Sequence, residues 1–495
     1  MNDSLAPEIG PDAFPRPAPK QFHPPRNTGL SAAARWVIFA LIVLGIVLSP
    51  QLLTTPVGQR GVLAASVGGL IFMLLIKSPR DGVLMTLIYL GILGGLRRWL
   101  IPAFGWAPQD PLVLVQAAVI GVYFSFVLVS RRLDWDTRLS RCLGWLLGLM
   151  VLEIVNPLQG GITVGIAGVL FMMVPVLWYY AGRRLGTPFI VLNLIRVALG
   201  LSLAGAAYGM YQIWFGYLPS EQIWIRINGV ADERVFSFFT LMAEYGLFLV
   251  IGISILWAAI LKGNRAAILP LPFLLGSAFF LGERGVLVGA LFSCVLLWAV
   301  QGKKFRVWLP RLAIALVVGV GGLVWSLQQA QHIDFGGKAQ VFVEHQTSGL
   351  LDPGHSTATA HSSMIFNGLL EGFKAPLGRG LGATSLAAAR FGTGSVTTES
   401  DWSDSFVSLG LIGGLLYTFI IGRVLLTSAQ QWMKTRNFAS LAILGILLAG
   451  LGHWLHGDFY AVTMLIWFLI GAQDRAAQLD KLAHFEQMKP GEKIL

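Results

Sequence analysis

The sequence predicts an all-α polytopic membrane protein with about 12–14 transmembrane helices and one large external loop that is partly helical. Two observations predict this class. Of the 495 residues, 55% are hydrophobic and only 12% are charged, which is too little charge for a soluble chain of this length. The apolar residues fall in blocks of about 15–25, and such blocks cross a hydrocarbon core of about 30 Å as helices.

Fourteen apolar segments are interpreted as spans. They lie near residues 36–53, 62–76, 83–101, 111–130, 142–155, 162–181, 188–215, 235–261, 267–281, 285–300, 308–327, 405–427, 438–456 and 459–472. The connections alternate in charge, so that one set holds 25 of the 36 Lys and Arg residues and the other holds 10. The positive-inside rule predicts that the richer set and both chain ends are cytoplasmic. Because this distribution accounts for the net charge of +11, no nucleic-acid partner is predicted.

The spans divide the chain into five parts. Residues 1–34 are rich in proline with scattered charge, which predicts a disordered cytoplasmic tail. Residues 35–327 and 405–472 carry the spans, residues 328–404 form the external loop, and residues 473–495 form a second cytoplasmic tail. Acids and prolines precede the first apolar run, so this run is expected to remain as an uncleaved anchor.

The external loop is too long to serve only as a connection, and loops of this size usually carry function. Between residues 358 and 373, apolar side chains recur at helical spacing, which predicts an amphipathic helix packed on the membrane domain. These side chains are Ile365, Leu369, Leu370 and Phe373. The segment TSLAAARF, residues 384–391, predicts a second short helix that begins at a Thr or Ser cap.

Four segments carry patterns with a family resemblance. In ERGVLVGAL, residues 283–291, an arginine opens a late span, and in RVFSFFTLMAEYG, residues 234–246, another arginine opens a central span. PLGRGLG, residues 376–382, is a glycine block within the loop. ESDWSDSFVSLGLIGG, residues 399–414, leads from the loop into the next span. Together these segments resemble the motifs of the O-antigen ligase and polymerase superfamily, integral membrane glycosyltransferases of the GT-C type.

The resemblance, which covers roughly residues 225–425, implies an activity, a location and partners. The implied reaction transfers a glycan from an undecaprenyl-pyrophosphate-linked donor to a glycan or lipid A-core acceptor, and no metal or other cofactor is expected. The implied location is the bacterial inner membrane, with the external loop in the periplasm. The lipid bilayer and a polysaccharide chain-length regulator are the further partners that the resemblance implies.

Two departures from the family pattern favour a polymerase of exopolysaccharide or O-antigen over an O-antigen ligase. Counting back from Gly410, Glu399 stands where the family has its catalytic histidine, and Trp402 stands where it has a tyrosine. The family's upstream loop arginine is absent. His361 lies near its position, and Arg379 is an alternative source of positive charge.

Without a metal ion, the pyrophosphate charge must be bound by guanidinium groups, whose planar donors match phosphate oxygens. The resemblance makes Arg284 the leading pyrophosphate ligand and Arg234 the next. The alternative for Arg284 is a snorkelling or helix-packing arginine at the interface, and the alternative for Arg234 is an anchor at a span end. Arg97 and Arg98 are expected to be interfacial anchors, with contact to the donor as the alternative. Glu283 either orients Arg284 or belongs to an exposed ion pair.

The glycine block has two interpretations. Gly378 and Gly380 could form a nest of backbone N–H groups that binds phosphate oxygens, with Arg379 beside it. The alternative is a tight turn that joins two loop helices, which glycine permits without any ligand.

The acidic segment before the span at 405–427 supplies candidates for the general base. Glu399 comes first, because partial burial at a span end would raise its pKa toward the operating pH. Asp401 and Asp404 are its rivals, and a solvated acidic cluster without a catalytic role is the alternative. His355 and His361 are expected to shape the loop or contact the acceptor.

One further polar cluster lies at a span end. His453 and His456 are three residues apart, which places both imidazoles on one helix face beside Asp458. They lack a full ligand set, so no metal site is predicted.

Other functions remain as alternatives to glycosyl transfer. They are a lipid-linked oligosaccharide flippase, another transporter, and a structural scaffold of a polysaccharide assembly complex. A transporter is expected to carry paired, interrupted helices and polar groups near the middle of the bilayer. This chain instead concentrates its polar chemistry in one loop, which favours an enzyme.

Overall fold

A computed structural model describes residues 54–129, 135–229, 234–302, 305–351, 358–384, 398–455 and 457–487. Within these ranges every regular element is a helix, which confirms the all-α class. The predicted tail at 1–34 and the predicted span at 36–53 lie outside the described residues, as does nearly all of the short helix predicted at 384–391.

The helices are numbered in chain order. They are α1 Pro56–Lys77, α2 Pro79–Trp99, α3 Ile101–Phe104, α4 Val115–Val129, α5 Arg138–Glu153, α6 Ile162–Leu185, α7 Pro188–Phe215, α8 Pro219–Asn228, α9 Met242–Leu261, α10 Leu271–Phe280, α11 Arg284–Ala299, α12 Phe305–Ala330, α13 Gly337–Leu351, α14 Ala358–Lys374, α15 Asp401–Thr435, α16 Phe438–Ala449 and α17 Tyr460–Gln487. Single 3₁₀ turns lie at Pro111–Leu114, Pro157–Gln159 and Arg265–Ile268, and α6 contains a π-helical turn at Val169–Met173.

Six helices in the described part of the chain are long and apolar enough to cross a membrane, and shorter apolar helices accompany them. The six are α1, α6, α7, α9, α12 and α15. This confirms a polytopic membrane protein. Several span boundaries differ from the sequence prediction. Residues 235–241 precede α9 as a turn, α15 begins at Asp401 with Ser400 as its cap, and α17 continues into the predicted tail.

Helix α9 lies at the centre of the bundle, where it packs against α7, α10, α11 and α16. Helices α6 and α17 make the most extensive contact. In this contact Gly182 lies against the backbone of Phe468, and Gly471 lies against the backbone of Tyr179. A Cβ atom at either glycine would overlap the facing carbonyl oxygen, so these small residues permit the close approach that membrane helices use for packing.

We call the end of the bundle at which α12 ends and α15 begins the loop side. Buried ion pairs connect neighbouring helices at this end. The Arg60 guanidinium forms an ion pair with Asp110, and both side chains are fully buried. Arg97 Nε lies 3.2 Å from the same carboxylate, and its guanidinium also stacks over Trp106. The prediction that Arg97 is an interfacial anchor is therefore wrong, because its guanidinium binds groups within the protein.

The prediction that Arg98 is an interfacial anchor is also wrong. Its side chain is buried, and its guanidinium donates hydrogen bonds to the carbonyl oxygens of Ser237, at 2.7 Å, and Phe239, at 3.0 Å. The carboxylate of Glu221 lies 3.8 Å away. Ser237 has a φ of 53°, which non-glycine residues rarely adopt, and Arg98 stabilises the turn that contains it. Arg98 therefore stabilises the turn that leads into α9.

The predicted loop helix is present as α14, but its packing face differs from the prediction. Gly368 and Gly372 are buried against Ser403 and Phe406 of α15. Of the predicted apolar face, Ile365 and Leu369 are half-buried, whereas Leu370 and Phe373 are exposed. Close backbone packing through glycines, and not burial of the whole apolar face, therefore attaches α14 to the membrane domain.

Helix α15 contains one non-helical residue, Gly410, with a φ of 69°. We expect Gly410→Ala to lower the free energy of unfolding by more than about 2 kcal/mol, because alanine is strained at this φ and its Cβ would overlap the Pro376 carbonyl oxygen. Gly422→Ala on the same helix is the control, since nothing lies within 4 Å of a Cβ there. Thermal unfolding of both variants in one detergent measures the difference, and equal midpoints would contradict a structural role for the kink.

Candidate functional site

The turn between α10 and α11 carries Arg284 on the loop side. Gly282 has a φ of 79° and lies against Phe342 of α13, so the turn is covered by the loop. The Arg284 side chain crosses to the same helix. Its guanidinium lies over Gly349, and Nη2 donates a hydrogen bond of 3.1 Å to the carbonyl oxygen of His345. Arg284 is therefore half-buried and held by α13 at the tip of the hairpin.

Glu283 does not lie on an exposed surface. Its carboxylate packs against Gly246 of α9, and burial raises its pKa to about 7. The positive charge of Arg234 acts in the opposite direction and favours the carboxylate. The interpretation of Glu283 as part of an exposed ion pair is therefore wrong. Arg234 is exposed, and its carbonyl oxygen accepts a hydrogen bond of 2.8 Å from the Tyr217 hydroxyl.

The glycine block is not a phosphate-binding nest. Five successive N–H groups, from residue 378 to residue 382, all donate hydrogen bonds within the protein. Their acceptors, in order, are Ala375 O at 2.9 Å, Val407 O at 2.9 Å, Ser408 O at 3.2 Å, Glu153 O at 3.1 Å and Gln159 Oε1 at 3.2 Å. The prediction that Gly378 and Gly380 bind phosphate through these groups is wrong, because the donors are already used.

The block instead joins the loop to the kink of α15. Gly378 and Gly380 have φ values of 93° and 106°, and a Cβ at Gly378 would lie 2.6 Å from Ser408 O. Leu411 N donates a hydrogen bond of 3.1 Å to Pro376 O. Asn156, just beyond α5, donates to Gly378 O at 3.1 Å. The close backbone approach explains why glycines occupy these positions.

Arg379, within this block, extends from the loop surface. Its guanidinium forms a hydrogen-bonded ion pair with Glu371 of α14, and its side chain is 41% exposed. The Arg379 hydrogen bond lowers the pKa of the Glu371 carboxyl group, and Lys374 adds to this effect. Arg379 is thus a positioned cation on the loop, on a different element from Arg284.

Two of the three predicted acids are internal. Asp401 is buried, and its carboxylate accepts hydrogen bonds from Leu455 N and from the Tyr417 hydroxyl at 3.3 Å. Asp404 is also buried and accepts a hydrogen bond from the Thr398 hydroxyl. The interpretation that these two acids belong to a solvated cluster is therefore wrong, whereas their catalytic role stays a prediction. Both stabilise the start of α15.

Glu399 and His361 are brought together. His361 lies in the first turns of α14, Glu399 lies just before α15, and His361 Nδ1 is 3.2 Å from Glu399 Oε1. The two side chains are 53% and 33% exposed, so the pair faces solvent. The sequence placed each residue near a position of interest in the family, but no periodicity or spacing predicted their contact. The contact of Glu371 with Arg379 and that of the His345 carbonyl group with Arg284 were not predicted from the sequence either.

Among the other histidines that the structure describes, His453 packs against an aromatic ring. The His453 ring packs edge-on against Phe459, with centroids 5.1 Å apart. His355 and His456 lie outside the described residues. Among the residues that the structure describes, no group of three or more His, Cys, Asp or Glu side chains could hold a metal ion.

No protein-family model matches this chain, and no curated protein matches it either. The chemistry of the site must therefore follow from its residues. An imidazole that is oriented by a carboxylate can exchange a proton near neutral pH. Guanidinium groups such as those of Arg284 and Arg379 can bind phosphate. Both kinds of group lie on the loop side of the bundle.

The raised pKa of Glu283 predicts a pH-dependent stability. The ordinary Glu pKa of 4.5 applies in the unfolded chain, whereas the folded value is about 7, so folding favours the protonated form. Stability should therefore fall as the pH rises from about 4.5 to 7. We expect Glu283→Gln to unfold at a higher temperature than the wild type at pH 8, by a few degrees, with a smaller difference at pH 5. A difference that is independent of pH would contradict burial of this carboxyl group.

Proposed function

We propose that this chain is a membrane glycosyltransferase that polymerises undecaprenyl-pyrophosphate-linked oligosaccharide repeat units at the outer face of a bacterial inner membrane. The observation that carries the proposal is the solvent-facing pair of His361 and Glu399. The pair lies on the same side of the bundle as Arg234 and Arg284, the arginines of the two span-opening motifs that resemble the family. The motif resemblance supplies the substrate class, and the pair supplies a group that can activate a hydroxyl.

The pair divides the role of the general base between two residues. His361 Nδ1 lies 3.2 Å from the Glu399 carboxylate, so a proton on Nδ1 can be shared with Glu399, and Nε2 is left to accept the proton of the acceptor hydroxyl. The carboxylate then stabilises the imidazolium that forms. This revises the assignment from the sequence, in which Glu399 accepts the proton directly.

The donor must lose its lipid pyrophosphate in the same step. The bond between the anomeric carbon and the phosphate oxygen breaks, and the electron pair leaves with the pyrophosphate. The acceptor oxygen forms the new glycosidic bond, and its proton moves to His361. Arg284, held by α13, is the proposed ligand of the leaving group, and Arg234 and Arg379 supply further positive charge.

Chain extension by the purified protein tests the proposal. The substrate is a short undecaprenyl-pyrophosphate-linked oligosaccharide, and a chelator is present throughout. We expect a product ladder from the wild type, and a rate about 10²–10⁴ lower from His361→Ala, because a general base contributes a factor of this size. Glu399→Gln should lower the rate less, since the imidazole remains. His332→Ala, an exposed histidine on the same loop, is the control.

The possible contrary results separate the alternatives. A ladder that survives both His361→Ala and Glu399→Gln would show that the pair is not the base. Transfer only to a lipid A-core acceptor would identify a ligase. Movement of the donor across a vesicle membrane without a covalent product would identify a flippase and overturn the proposal.

The position of Arg284 gives a separate prediction. A Cβ at Gly349 would overlap the Arg284 guanidinium, whose flexible side chain can move away. We expect Gly349→Ala to lower the rate of chain extension by about tenfold or more, because the guanidinium is displaced. The unfolding temperature should not fall, since alanine favours the helix. Gly276→Ala on α10, where nothing lies within 4 Å of a Cβ, is the control. An unchanged rate in Gly349→Ala would remove Arg284 from the proposed site.

A further inference from the structure

The exposed side of α14 carries an apolar stripe that the proposed reaction does not use. Phe366, Leu370 and Phe373 recur at helical spacing, and Leu377 follows the helix. Their exposed fractions are 66%, 54%, 64% and 77%. A contiguous row of large apolar side chains with this exposure indicates a surface that contacts lipid or another protein.

The direction of α14 shows where this stripe leads. Gly368 lies against Ser403 and Gly372 against Phe406, so α14 and the first turns of α15 run in the same direction. Because α15 enters the bundle from the loop side, α14 also descends toward the membrane domain. At about 100° per residue, the stripe lies on the side of α14 opposite the two glycines, and it therefore faces away from α15.

The polarity of that outward side changes along the helix. It begins with exposed Thr359, Ser362 and Ser363 and becomes apolar from Phe366 onward. A helix rises about 1.5 Å per residue, so Ser363 and Phe373 are about 15 Å apart along the helix axis. A change from polar to apolar along one face is expected for a segment that passes from water into the membrane interface. Binding of a water-soluble protein would not require this change from polar to apolar side chains along the helix.

The lower end of the stripe meets the apolar surface of the membrane domain. Leu377 precedes Gly378, whose carbonyl oxygen binds Asn156 at 3.1 Å. On either side of Asn156, Val155 and Leu158 are each 66% exposed. Apolar side chains on α5 and α6 continue this exposed surface; they are Leu152, Ile162 and Ile166. The stripe is therefore continuous with the surface that the spanning helices present to lipid.

We infer that the second half of α14 lies in the membrane interface on the loop side, with its apolar stripe in contact with lipid acyl chains. His361 then lies about 7.5 Å along the helix axis from Phe366, on the side toward water. This places the His361 and Glu399 pair at the level of the lipid headgroups.

Site-directed spin labelling in lipid vesicles tests the inference. Cys142 and Cys294 are the two cysteines of the chain, and both are first replaced by alanine. Single nitroxide labels are then placed by Phe366→Cys, Leu370→Cys and Phe373→Cys. Ser363→Cys is the matched control, because it lies on the same side of α14 but before the stripe. We expect the stripe labels to collide with oxygen several-fold more often than with a water-soluble nickel chelate, and the control label to show the reverse.

Each other outcome overturns the inference. If the nickel chelate reaches the stripe labels as readily as the control, the stripe lies in water. If neither reagent reaches them, protein covers the stripe, and dilution with unlabelled protein would show whether a second copy does so. Leu377→Cys lies outside the helix, so it keeps the measurement available if a helix variant does not fold.

Discussion

The backbone contact between the glycine block and the kink of α15 determines where the loop lies. Gly378 and Gly410 face one another at a distance that excludes a Cβ atom on either residue, and both have positive φ. Because the chain is fixed at this contact, α14 packs alongside the first turns of α15. That alignment brings His361 beside Glu399 and Glu371 beside Arg379. The geometry of the loop site thus depends on two stretches of backbone that only glycine allows to meet.

Charged residues are few in this chain, and the charged groups on the loop side have two different roles. Some are buried and hold backbone in place, as Arg98 does for the turn before α9 and Asp401 does for the segment at Leu455. Burial of an unpaired charge would cost several kcal/mol, so each such group must be matched by donors or acceptors around it. The second set is partly exposed on the loop side. It includes Arg234, Arg284, Arg379, His361 and Glu399, which are the groups that the proposed reaction uses.

The loop contacts the membrane domain at two places with different consequences. At the first, α13 covers the hairpin tip and holds Arg284 through the His345 carbonyl group. At the second, α14 and the glycine block lie along α15 and expose an apolar stripe. In the proposed reaction the lipid part of the donor lies in the bilayer and the acceptor hydroxyl comes from water. A helix whose first half is polar and whose second half is apolar spans that boundary, and His361 lies in its polar half.

Composition and the lengths of the apolar blocks determined the class of this protein, because burial in lipid is a property of whole segments and requires no knowledge of packing. The same reasoning predicted α14, since helical periodicity is local. It could not predict which face of α14 packs, because two glycines allowed an approach that apolar side chains would prevent. It could not separate Glu399 from Asp401 and Asp404 either, since burial depends on elements distant in sequence, such as the segment at Leu455. The pairing of Glu399 with His361, and the use of the block's N–H groups within the protein, were decided by tertiary structure alone, because only the folded backbone brings these groups within hydrogen-bond distance.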